Sequence, residues 1–402
     1  MVKPAKHTAG CRGIIPLPGV QGAEPPGGGP RILFFSGGTA LRELAQELTN
    51  HTRNSAHLVT PFDSGGSSAK LRDAFGMLAV GDLRNRLMAL ADRTAEGNPQ
   101  VYDLFAYRLP VDLGQGELLE RFGAVREGRD PLAAAVPEPL REIICEHLGF
   151  FWEAMRGTDF DLRGANIGNL VLAGGFFRAG RQIGPALELF SGLVKAKGVA
   201  WPVSTESLTL VAELADGTRL AGQHLLTGKE SGPIRRPVSR VYLAKSQRDT
   251  AEVTAEATRR VRELIGAADL ICYPMGSFYS SVVANVLVKG VGDAVAGAAC
   301  PKVFVPNPAG DPEQLGMGLG ESVRTLFAYL RASCEAPEPA GTLLDAVLLD
   351  RLYPYQEPLG LEEIFGLGVR IIEADLGYSR AKASFNPGIL ARTLTALANG
   401  EL

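Results

Sequence analysis

Past Pro30 the chain alternates short unbroken apolar runs with segments of helical period. Ile32-Leu33-Phe34-Phe35 is wholly apolar and bounded by turn residues, the mark of a parallel strand buried on both faces. Ser36-Gly37-Gly38-Thr39 follows, and then Leu41, Leu44, Ala45 and Leu48 recur at helical spacing. His57-Leu58-Val59-Thr60 is the next strand, so residues 31–60 read as one βαβ unit. Asp82 reads as the N-cap of a helix through Leu83, Leu87, Leu90 and Ala91. Residues 97–140 lose this rhythm, and Leu140–Met155 recovers it through Ile143, Ile144, Leu148 and Phe151. The region from about 95 to 160 is therefore expected to be a mainly helical insertion on the sheet. Asp216-Gly217, between Leu208–Val211 and Thr218–Leu220, signals a hairpin. Strands are then predicted near 268–273, 302–306, 344–349 and 369–373, with helices near 281–290, 317–332 and 361–366. Asn386-Pro387 opens the last helix.

This alternation implies an α/β fold: a mostly parallel, doubly wound sheet covered by helices on both faces, spanning 31–402. Residues 1–30 hold Pro16, Pro18, Pro25, Pro26 and Gly27-Gly28-Gly29-Pro30, and read as a disordered Pro/Gly-rich tail without a signal sequence. Hydrophobic residues make up 46% of the 402, which excludes disorder along the whole chain. With 41 basic and 44 acidic residues the formal charge is −3, which argues against non-specific nucleic-acid binding. No apolar run approaches the ~20 residues that span a bilayer. The five cysteines, Cys11, Cys145, Cys272, Cys300 and Cys334, are scattered, as expected in a reducing cytoplasm and not in a thiolate zinc site.

Right-handed crossovers bring the loops after successive strands to one sheet edge, where ligands of such folds bind. Five loops there carry candidate chemistry. In Ser36-Gly37-Gly38-Thr39, the glycines and the helix N-terminus suit an anion, although a tight turn would use the same residues. Asp63-Ser64-Gly65-Gly66-Ser67-Ser68 pairs a carboxylate with small donors, suited to Mg²⁺ or to a substrate hydroxyl, or else to an ordinary Asx turn. In Gly81-Asp82-Leu83-Arg84-Asn85-Arg86 the two arginines lie about 200° apart on a helix and cannot serve one ligand equally. Arg84 is the better phosphate ligand. Asn166, Gly168 and Asn169 offer amides to a base or ribose edge, or simply lead into a helix. Gly276 and Ser277, after the strand Asp269–Tyr273, repeat the geometry of the first loop, so that the two corners could clamp a diphosphate. His224 reads as structural, Cys272 as an inert core thiol, and Lys70, Arg72 and Arg93 as solvated charges, of which Lys70 and Arg72 could turn toward an anionic ligand.

Taken in order, Ser36–Thr39, Val59–Ser68, Gly81–Asn85, Gly168-Asn169-Leu170 and Gly276-Ser277-Phe278-Tyr279 resemble the 2-phospho-L-lactate transferase (CofD-like) family. The motifs look closer to its bacterial gluconeogenesis-factor branch. The resemblance implies a three-layer Rossmann-like domain, a homodimer, and a guanosine or uridine diphosphate conjugate as ligand. It implies either Mg²⁺-assisted transfer to a hydroxyl or, in the second branch, nucleotide-sugar binding without established catalysis. On the transferase reading, Gly37, Gly38, Thr39, Gly276 and Ser277 hold the diphosphate, with Gly65, Gly66, Ser67, Asn85 and Gly168 lining the site. Arg84 neutralises developing charge, Asn166 and Asn169 contact the nucleoside, and Asp63 binds Mg²⁺ or orients the acceptor. The chain departs from the family pattern at Ala40, where glycine is usual, at Pro274-Met275, and at Ser64, where relatives carry a second acidic residue.

Overall fold

Residues 14–16, 28–94, 97–228, 232–335, 343–355 and 358–401 are described by the computed structural model. Their strands are β1 (Ile14–Pro16), β2 (Ile32–Ser36), β3 (Ala56–Val59), β4 (Val199–Pro202), β5 (Thr209–Leu214), β6 (Arg219–Ala221), β7 (Val238–Ala244), β8 (Glu252–Val253), β9 (Leu270–Tyr273), β10 (Lys302–Phe304), β11 (Ala346–Asp350) and β12 (Arg370–Ala374). Eight of them form one sheet in the order β1-β12-β11-β10-β9-β2-β3-β4. Every pairing in that sheet is parallel. Alternate side chains of the central strands feed opposite layers. Leu33, Phe35, Ile271 and Tyr273 join one apolar cluster, whereas Ile32, Phe34, Leu270 and Cys272 join another with the terminal helix Pro387–Ala398. Such burial on both faces is why the strands read as unbroken apolar runs.

Asn386 accepts the Gly388 and Ile389 N–H groups and caps that helix, with Pro387 at its first position. The Asp216-Gly217 hairpin joins β5 to β6 within a second, antiparallel sheet of order β6-β5-β7-β8. Between β3 and β4 the path is entirely helical. Four of its helices, Pro99–Ala106, Gln115–Arg126, Pro131–Ala134 and Leu140–Met155, occupy the segment read as an insertion. They share an apolar core with the helices Gly81–Leu90 and Ile167–Arg178. The tail assigned to residues 1–30 lies largely outside the described residues, but Ile14–Pro16 within it pairs as an edge strand with β12. Among the described residues no helix is long and apolar enough to cross a membrane.

His57 on β3 is wholly buried, stacks on Phe34 at 5.0 Å, and finds no hydrogen-bond partner for either ring nitrogen. Burial, and next the Arg86 charge, hold its pKa well below the usual histidine range. The unfolded chain then binds more protons than the folded one. The stability this neutral ring confers is complete above about pH 6.5 and is lost as pH falls below that value. Between about pH 7.5 and pH 5.5, denaturant titrations of the wild type and His57→Phe should diverge by about 1 kcal/mol, the variant losing less. Identical pH slopes would show that His57 does not titrate in this way.

Candidate functional site

Strand order sets the place of the site. The chain runs outward from β2 to β3 and β4, returns to β9 on the other flank of β2, and then runs outward again. The carboxyl ends of β2 and β9 therefore form the switch point at which open α/β sheets bind ligands. Their two corners meet. The Asn285 side-chain amide donates to Ser36 O at 3.0 Å and to Ser281 O at 2.7 Å. A Cβ on Gly37 would lie 2.8 Å from Ser281 Oγ and 3.2 Å from Thr60 Oγ1, so close approach requires glycine there.

The donors of the β9 corner are already engaged. Phe278 N–H donates to Asp311 at 2.6 Å, and Tyr279 and Ser280 N–H donate to Glu313 at 2.9 and 2.8 Å. Burial first, and the Asp311 charge next, raise Glu313 to about 7. Gly276 and Ser277 thus stand beside the β2 corner, but the helix they introduce is closed by the protein's own carboxylates. The three N–H groups that follow Ser277 are thus taken up within the protein, and the loop that borders open space is the one at β2.

On the opposite flank of β2 lies a polar cavity of about 260 Å³. Its lining includes Gly38, Asp63, Gly65, Gly66, Ser67, Asp82, Arg84, Asn85 and Asn169. A second cavity, of about 200 Å³, shares Gly38, Arg84 and Asn85 with it and adds Thr39, Arg42 and Tyr102. The helices Gly66–Phe75 and Gly81–Leu90 present these groups. They are held together where Gly81 N–H donates to Ser68 Oγ at 3.0 Å, a spot that a Cβ on Gly81 would enter at 2.4 Å.

Asp82 does not cap its own helix, since Val80 is the N-cap. Instead its carboxylate accepts the Gly38 N–H at 2.8 Å, so a carboxylate oxygen already occupies the anion position of the first loop. Asp63 makes the Asx turn, accepting Gly65 N–H at 3.0 Å, and also lines the cavity. The Asx-turn reading of that loop is the one the hydrogen bond carries.

Arg84 is 8% exposed and donates from Nε to Asn169 Oδ1 at 3.3 Å, while Asn169 donates to Ser67 Oγ at 2.8 Å. Its pKa falls to about 10, first through burial, then through the Arg108 and Arg42 charges, against the pull of Asp82. The guanidinium stays charged at neutral pH. Arg86 also lines the second cavity, and its guanidinium donates to Leu41 O at 3.0 Å, bracing the β2 loop.

Asn166 serves the fold. It is fully buried, its Oδ1 accepts Asn169 N–H, and its amide donates to the carbonyls of Phe105, Ala106 and Tyr107. The expected nucleoside contact is corrected accordingly, because every polar atom of the side chain is engaged. Gly168 also serves packing, since a Cβ there would lie 2.9 Å from Phe105 O and 3.3 Å from Arg84 Cγ. Lys70 pairs with Asp161 at 2.7 Å. Arg72 is no solvated charge: it donates to Asp63 O and Leu208 O. Burial raises the Cys272 thiol far above its usual range, as an inert core thiol requires.

Sequence reasoning missed Arg42, Arg108, Tyr102 and Gln223. Only Arg42 carried a usable signal, three residues past Thr39 in the first turn of a helix. His224, read as structural, lines the cavity with its Nδ1 2.7 Å from Ser64 Oγ.

Among the described residues no three His, Cys, Asp or Glu groups converge as a metal site. Asp63 and Asp82 line one cavity, which suits Mg²⁺ held by one or two carboxylates together with ligand phosphates.

A doubly wound parallel sheet with a glycine-lined crevice beside Arg84 at its switch point defines a Rossmann-like α/β protein. The family model described as 2-phospho-L-lactate transferase CofD matches residues 32–367, and the chain belongs to that family. It is 28% identical to the gluconeogenesis factor of Bacillus subtilis over 308 residues, covering 75% of each protein. With the gluconeogenesis factor of Listeria monocytogenes it shares 27% identity over 280 residues, 69% of this chain and 66% of that one. A crystal structure of a UPF0052 family member from Bacillus halodurans has the same fold, with a TM-score of 0.64 at 21% identity over 91% of this chain and 98% of that one.

Asn166→Ala removes a helix cap and the amide donations to the Phe105, Ala106 and Tyr107 carbonyls. It should cost about 2–4 kcal/mol in urea unfolding. Wild-type stability in that variant would free Asn166 for a ligand.

Proposed function

We propose that the chain binds a guanosine or uridine diphosphate conjugate across the two cavities flanking Arg84, and transfers the group on the outer phosphate to an acceptor hydroxyl with Mg²⁺. One observation carries the reading. Arg84, nearly excluded from water, has Arg42 and Arg108 for neighbours, and none of the three forms an ion pair among the described residues. A buried cation with the exposed Arg42 and Arg108 charges beside it favours a polyanion as ligand.

The Gly38 N–H, which takes an oxygen from Asp82 in the free protein, takes one from phosphate in the complex. Arg84 then meets charge developing on the bridging oxygen. Tyr102, lining the second cavity beside Thr39, offers a face to the base. Asp63 would hold Mg²⁺, which would supply charge neutralisation to the phosphates when bound. In the reaction the acceptor oxygen bonds to the outer phosphorus, the bridging P–O bond breaks, and nucleoside monophosphate leaves.

A second reading keeps the binding and drops the transfer, giving a nucleotide-sugar-binding regulator. The sparse carboxylate set favours it, because Ser64 stands beside Asp63 where a second acidic group would strengthen a metal site. Phosphorus NMR of the protein with Mg²⁺, hydroxyl acceptors and a panel of guanosine and uridine diphosphate conjugates separates the two. Transfer releases nucleoside monophosphate, and Asp63→Asn slows that release by about 100-fold or more. Tight binding of several conjugates with no release, and Asp63→Asn binding as the wild type does, would establish the regulator instead. Under either reading Arg84→Gln should weaken GDP or UDP binding by about tenfold or more.

A further inference from the structure

Beyond His224 the polar cavity gives way to a cleft of about 840 Å³, between the helix Gly66–Phe75, the start of β5 and residues 245–248. Among the described residues His224 is the one that lines both spaces. Its ring is not placed by chance. Gly222, at φ +128°, admits it: a Cβ there would lie 2.8 Å from His224 Cε1 and 2.8 Å from Ser64 Oγ. Ser64, 8% exposed, lies 2.7 Å from Nδ1. A hydroxyl accepting from Nδ1–H leaves the lone pair on Nε2 and fixes the ring's orientation.

The cleft itself is cationic. Arg72, Lys245 and Arg248 line it against Asp73, and neither Lys245 nor Arg248 forms an ion pair among the described residues. It is roomy enough for a second small molecule of several hundred Å³. An imidazole lining both a phosphate-sized cavity and a substrate-sized cleft stands where a donor phosphorus and an acceptor hydroxyl would meet.

We propose that His224 is the catalytic base for transfer, positioned by Ser64, and that the hydroxyl acceptor enters through the larger cleft. The assignment rests on the transfer reading above. The acceptor hydroxyl gives its proton to His224 Nε2 as its oxygen bonds to the outer phosphorus. The bridging P–O bond breaks, its electron pair leaves on the nucleoside monophosphate, and the imidazolium returns its proton to solvent through the cleft.

The full-length protein, the same conjugate panel with Mg²⁺, and water or glycerol as acceptor probes provide the test, read as monophosphate release. His224→Ala is expected to slow release by about 100-fold or more, while its affinity for GDP and UDP stays within about threefold of wild type. Added imidazole should recover release by about tenfold, since the truncated side chain leaves room for it. Ser64→Ala should cost about tenfold, and Ser64→Thr, which keeps the hydroxyl, much less. Unchanged release in His224→Ala overturns the assignment, as does lost release that imidazole does not recover, because a purely structural histidine would behave so. Wild-type protein that binds nucleotides but releases no monophosphate overturns both this assignment and transfer, leaving binding intact. Failure to bind GDP or UDP at all overturns the site.

Discussion

A guanidinium kept charged while almost dry is the constraint around which this molecule is arranged. Arg84 loses most of its hydration and gains two like charges, which together lower its pKa to about 10. Its compensation is partial: one side-chain amide from Asn169, and the field of Asp82. Several features follow from holding it there. Gly168 is small so that the Arg84 helix can approach, Asn166 ties the start of the helix that carries Asn169 to the Phe105–Tyr107 carbonyls, and Asp82 leans across to Gly38 rather than capping its helix. The free protein thus carries an internal carboxylate where a ligand's phosphate oxygen would sit.

The two corners at the switch point are alike in sequence and unlike in use. Both place glycine and hydroxyl residues between a buried strand and a helical segment. At the β9 corner, Asp311 and Glu313 reach back to take three successive backbone N–H groups, which makes that corner a rigid wall. At the β2 corner one N–H takes one carboxylate oxygen, and the rest of the loop borders open space. A single ligand anion has a lone oxygen to displace at the second corner and a buried network to dismantle at the first.

The central strands were legible because burial on both faces leaves no polar position in a run such as Ile32–Phe35. β4 escaped notice because Val199–Pro202 is only alternately buried and ends in proline, giving no continuous signal. Among the candidate residues, Arg84 lines both cavities, whereas Arg86 shares the second with it and spends its guanidinium on Leu41 O. Asn166 did not behave as expected, because its amide is consumed by carbonyls some sixty residues earlier, which local pattern cannot reveal. Ser64 and His224, 160 residues apart, meet only through the antiparallel sheet that was visible in sequence as a single hairpin.

The most direct measurement is a crystal structure of the protein with GDP or UDP bound. The expected result is a diphosphate between Gly38 N–H and the Arg84 guanidinium, with the Asp82 carboxylate withdrawn from Gly38. Phosphates seated instead at the helix beginning with Phe278, or an unbroken Asp82–Gly38 contact with nucleotide bound elsewhere, would contradict it.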